Sequence, residues 1–164
     1  MQRVTLATGT LLLAALMSPV AQAAHGTKGL WRVTVTVNEA ANAFLTPQQR
    51  AQMQAHGIDI IGPNSIAADH CMTEAEVESN RLSKAQDVAG CSLQDQSSNG
   101  PTLRGKLVCI EEPKGTGHLQ ITYANPKHYT GSMVFSGMAN GRSVHLTYHY
   151  DGRWLSPHCG KLKQ

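Results

Sequence analysis

Beyond its first 23 residues, this 164-residue chain has no apolar run near the ~18 residues of a membrane-spanning helix, which excludes a later transmembrane anchor. It has no block of like charge either. Bases exceed acids by three and the signs are interspersed, so the clustered footprint of a nucleic-acid-binding protein is missing. No Gly-x-Ser-x-Gly elbow is present to carry a nucleophilic serine. No two histidines stand two positions apart, the spacing that would bring imidazoles together on one strand face. Internal repeats, low-complexity runs and linker-like stretches are also missing, so the chain reads as one domain.

What is present begins with Met1–Ala23. Arg3 supplies a cation, Leu11 to Met17 an apolar run, and Ala21-Gln22-Ala23 a small-x-small cleavage site. These are the parts of a secretory signal peptide. That segment contains no cysteine, which closes the lipoprotein route. The expectation is therefore a periplasmic or secreted protein whose mature part is residues 24–164, with no membrane anchor after cleavage.

All four cysteines, Cys71, Cys91, Cys109 and Cys159, fall in the mature part. An even count in an exported chain points to disulfides, with three possible pairings. Geometry favours one. Cys91–Asp95 and Leu103–Cys109 flank the turn cluster Ser98-Asn99-Gly100-Pro101. A hairpin centred near Gly100 opposes Cys91 to Cys109 and Leu93 to Leu107, with β-carbons ~4.5–5.5 Å apart, near disulfide reach. Cys71–Cys159 then follows by elimination. The cysteines lack the closely spaced pairs of a zinc site.

Leu30–Val37 alternates, with Trp31, Val33, Val35 and Val37 on one side and Arg32, Thr34 and Thr36 on the other, as in a half-buried strand. Thr46-Pro47 opens a helix that His56-Gly57 closes, and Ile58–Asn64 reads as extended or irregular. Thr73-Glu74-Ala75-Glu76 is a capping box for a second short helix running to about Leu82. Three alternating segments follow the cysteine hairpin: Thr116–Ala124, His128–Gly137 and Ser143–Trp154, joined by Asn125-Pro126-Lys127 and Asn140-Gly141. Short connections make neighbours antiparallel.

The expected fold is thus mainly β (α+β): an antiparallel meander of about six strands, strongly curved or a partial barrel. Two short helices lie between the first strand and the rest. One face gathers Trp31, Tyr123, Tyr129, Phe135, Tyr148, Tyr150 and Trp154, and the helices offer little to cover it beyond Phe44, Leu45, Met53, Val77 and Leu82. That mismatch points to an apolar ligand, or to an apolar segment of an envelope protein, sheltered on this face. Strong curvature would resolve it without a ligand.

The order of features resembles a bacterial exported family known only as a domain of unknown function, family 3617. The residues carrying the likeness are Gly29-Leu30-Trp31-Arg32-Val33-Thr34-Val35, Cys71-Met72-Thr73-Glu74-Ala75-Glu76, Cys91, Cys109, Gly115-Thr116-Gly117, Tyr129-Thr130-Gly131-Ser132-Met133, Gly152-Arg153-Trp154 and Cys159. The resemblance implies an exported, disulfide-bonded β protein. It implies no activity and no cofactor.

Other chemistry has less behind it. His145 and His149 share one side of a strand, but four residues separate them by about 13 Å. His118, two strands away, is about 10 Å or more from either. No metal site is assigned, and His118, His145 and His149 remain the residues a copper- or zinc-binding alternative would use. An unrecognised hydrolase would need a concave site around a residue such as Asp69 or Glu112 with a displaced pKa. The expectation is a binding module that is not an enzyme.

Overall fold

The computed structural model describes residues 25–38, 45–79 and 90–162. Met1–Ala23, Phe44 and Leu82 lie outside the described residues. Ten elements follow one another: β1 (Gly29–Val37), α1 (Pro47–Ala55), β2 (Ile58–Ile60), β3 (Ser65–Met72), α2 (Glu74–Ser79), β4 (Cys91–Asn99), β5 (Thr102–Cys109), β6 (Lys114–Asn125), β7 (His128–Ala139) and β8 (Arg142–Ser156). The strands form one sheet in the order β2-β3-β1-β8-β7-β6-β5-β4, and every pairing is antiparallel.

The late strands behave as their alternation predicts. On β6, Leu119, Ile121 and Tyr123 are buried while His118 and Gln120 are exposed. On β7, Met133 and Phe135 are buried between exposed Val134 and Ser136. The turn at Asn140-Gly141 has both residues at positive φ, 51° and 72°, which suits an Asn-Gly hairpin.

The sheet curls toward its apolar side. Met72 on β3 and Tyr123 on β6 are four strand positions apart, roughly 19 Å in a flat sheet. Yet the sulfur of one and the ring of the other both lie about 3 Å from the point where a β-carbon on Gly26 would sit. Trp31 and Tyr123, three positions apart, have ring centroids 6.2 Å apart. The core on this inner side contains Trp31, Met72, Leu103, Leu107, Leu119, Ile121, Met133 and Phe135.

The expected fold needs three corrections. There are eight strands rather than six, because Ile58–Ile60 and Ser65–Met72 are β2 and β3. The two helices therefore do not sit together after β1, since β2 and β3 come between them. The curved sheet stays open, with β2 and β4 as its two unpaired edges. The turn after β4 is only Gly100-Pro101, and Ser98 and Asn99 belong to the strand. Register explains that last difference. Cys91 faces Cys109 and Leu93 faces Leu107 as expected, but the pairing slips by one residue between Gln94 and Ser97, where Asp95 has φ 50°. This is a β-bulge.

Both disulfides join the expected partners. Cys71 pairs with Cys159 at a Cα–Cα distance of 5.4 Å, and Cys91 pairs with Cys109 at 3.9 Å. Each fastens one flank of the sheet, β3 to the segment after β8 and β4 to β5.

The helices are well capped and cover little. Thr46 and Gln49 satisfy each other across the first turn of α1, and Thr73 and Glu76 do the same for α2. Helix α1 buries none of its residues and lies beside β2. From α2, Val77 packs against the core.

Candidate functional site: the aromatic inner face

Strand alternation places all four tyrosines and both tryptophans of the chain on the inner side. Trp31, from β1, is fully buried, and its indole N–H donates to the Thr27 carbonyl at 2.7 Å. Its ring stacks on Tyr129 at 5.5 Å and meets Tyr123 edge-on. Tyr123 and Tyr129 make an edge contact at 5.3 Å, and His25 sits edge-on to Tyr123 at 6.0 Å. Such pairs contribute ~0.5–1.5 kcal/mol each beyond their buried area. Gly152 is part of this arrangement. It pairs with Tyr129 across β7 and β8, and a β-carbon there would lie 2.1 Å from the ring carbon that bears the hydroxyl.

Burial sets the electrostatics. It pushes the Tyr123 phenol up to about 12, with the nearby charge of Glu76 adding to the effect. It raises Tyr129 and Tyr150 further, with neighbouring tyrosines contributing second. All three present neutral O–H groups at ordinary pH.

The seven residues of the expected apolar face do not play equal parts. Trp31, Tyr123 and Phe135 are buried floor, and Tyr129, Tyr148 and Tyr150 are half-buried against it. Trp154 belongs to the rim: its indole N–H donates to the Lys28 carbonyl at 3.0 Å, and the Lys127 ammonium lies 4.1 Å over its ring. Beyond the filled floor, Val33, Val35, Ile66 and Leu146 remain part-exposed.

The outer face holds His118, His145 and His149, and the structure does not bring them together. His118 faces Val134, which faces Thr147, so it stands across from the gap between His145 and His149. His145 instead shares a 2.9 Å hydrogen bond with the Ser136 hydroxyl. Among the described residues, no three His, Cys, Asp or Glu side chains gather closely enough to hold an ion. Asp69 and Glu112 are also apart. Asp69 pairs with Arg32 at 3.0 Å, and Glu112 accepts from the Asn140 backbone N–H.

A depression of about 460 Å³ lies on this outer face over β6, β7 and β8. Gln120 and Thr122 border it from β6, Thr130 and Ser132 from β7, and His149 and Asp151 from β8. Alternation alone puts these residues on the polar side of their strands and does not mark a hollow. The registers set short Ser132 between Gln120 and His149, which reach farther from the sheet, and Thr130 between Thr122 and Asp151. Asp151 is ionised. Partial burial works against its charge, but hydrogen bonds from His128 and Arg153 outweigh that and hold its carboxyl below the usual range.

The family described as protein of unknown function (DUF3617) matches residues 26–159, which takes in β1 through β8 and all four cysteines. The chain belongs to the DUF3617 family. No curated protein and no solved structure matches it. The DUF3617 match thus spans the curved sheet, the aromatic floor and both disulfides without attaching an activity to them.

Proposed function

We propose that this DUF3617 protein is a non-enzymatic binding module of the periplasm, in which the concave inner face shelters an apolar ligand or an apolar segment of an envelope partner. One observation carries the reading. Past the packed floor, the same face continues as part-exposed Val33, Val35, Ile66 and Leu146, while α1 buries nothing against it. An apolar surface continuous with a core and left part-covered is the usual form of a binding site for apolar groups. The disulfides suit an oxidising compartment, and no helix among the described residues is long and apolar enough to cross a membrane.

The test is to purify the protein from its host periplasm, record native mass spectra and extract with organic solvent. A co-purifying apolar adduct is expected, with binding of an environment-sensitive apolar dye by the stripped protein. Leu146→Glu, at a half-exposed position, should lose the dye without unfolding. An adduct-free mass together with no dye binding by the stripped protein refutes the reading.

A further inference from the structure

The outer depression has a chemistry of its own, distinct from the inner face. Six of its eight bordering residues present polar side chains, and Gly131 with Tyr150 completes it. Its volume falls in the range of small-molecule sites, ~300–1,000 Å³. The hydrogen-bonding groups are already oriented. The Gln120 side-chain carbonyl accepts from the Arg104 Nε at 3.0 Å, which leaves the amide N–H₂ as a donor. The Thr122 hydroxyl shares a 3.1 Å hydrogen bond with that of Thr102. Thr130 and Ser132 add two hydroxyls, His149 an imidazole, and Asp151 a carboxylate acceptor.

Charge narrows the ligand class. The one carboxylate in the depression is matched by two neighbours: His128 Nε2 lies 2.9 Å from one Asp151 oxygen and Arg153 Nε lies 2.8 Å from the other. A cationic ligand would compete with those partners, and an anionic ligand would meet the carboxylate. A wholly apolar ligand would leave those six hydrogen-bonding side chains without partners. What remains is an uncharged molecule whose own groups both donate and accept, which is the property of a hydroxyl.

We infer that the depression over β6, β7 and β8 binds an uncharged polyhydroxylated ligand, a saccharide, through Gln120, Thr130, Ser132, His149 and Asp151. Among the described residues no tyrosine, tryptophan or phenylalanine ring faces this side to stack on a sugar, so selectivity comes from hydrogen bonds.

The experiment is an NMR titration of the isotope-labelled exported chain with two probes, the trimer of N-acetylglucosamine and maltotriose. At least one should shift the backbone amides of Gln120, Thr122, Thr130 to Ser132 and His149 to Asp151 and leave those of the inner floor in place. Ser132→Trp fills the hollow and should abolish the shifts. Gln120→Ala, an exposed position that leaves the fold intact, should weaken binding roughly fivefold, the worth of one hydrogen bond. Silence with both trisaccharides, shifts centred elsewhere, or tighter binding of inorganic phosphate at the same residues overturns the proposal.

Discussion

Gly152→Ala is the sharpest probe of the inner face, because it adds one methyl group at the point where β8 passes beneath Tyr129. The new carbon would fall 2.1, 2.2 and 2.7 Å from three atoms of that ring, well inside van der Waals contact. The ring has no easy retreat, with Trp31 stacked at 5.5 Å and Tyr123 edge-on at 5.3 Å. Overpacking of this kind costs ~1–3 kcal/mol, and prising Tyr129 from Trp31 adds ~0.5–1.5 kcal/mol. The expected loss is about 3 kcal/mol. Urea unfolding followed by tryptophan fluorescence measures it, since fully buried Trp31 reports directly on the stack. Gly152 has no positive φ, so the backbone itself tolerates alanine. In a Tyr129→Ala background the clash is gone, and Gly152→Ala should then cost nothing. A loss below ~0.5 kcal/mol in the native background, or an equal loss in both, is within ordinary additivity and would refute the argument.

Three further outcomes are expected. Replacing Cys71 and Cys159 by alanine should destabilise more than replacing Cys91 and Cys109, about 4.5 against 3 kcal/mol by loop entropy, because the bridges span 88 and 18 residues; paired urea curves decide this. Alkaline stability should be intact below the ordinary tyrosine value of 10.0 and fall above it, because the unfolded chain ionises there while folded Tyr123 holds its proton to about 12. Urea midpoints one unit to either side of that value, with tyrosinate absorbance, check the sign. Thr73→Ala removes the hydroxyl that accepts from the Glu76 backbone N–H at 3.2 Å. It should cost ~1 kcal/mol, read as a shift in thermal midpoint.

Much of this arrangement was legible because the sequences of β1 and β5 to β8 alternate apolar and polar residues. Their alternation places Trp31, Tyr123, Phe135 and Tyr148 on the same side, and the bulge after Gln94 brings the hairpin into the register that opposes Cys91 to Cys109. β3 was not legible, because both of its sides are partly covered. Ala67 and Cys71 are buried on one side and Met72 on the other, which erases the period of two. β2 has only three residues, too short for any pattern. Curvature was only half legible. Alternation says which side is dry, but whether the sheet closes depends on its edges, and one of these, β2, could not be seen. The outer hollow depends on relative side-chain heights across three strands, which becomes visible only when the registers are known.

The one-residue slip at Asp95–Gln96 bears on how this sheet ends. β4 is an edge, nine residues long and largely open to water, the kind of border on which a foreign strand could continue the ladder. Because its two halves are out of step, an incoming straight strand could match the hydrogen bonds of one half and would miss those of the other. The bulge thus makes this border a poorer template for a foreign strand than an unbroken ladder would be.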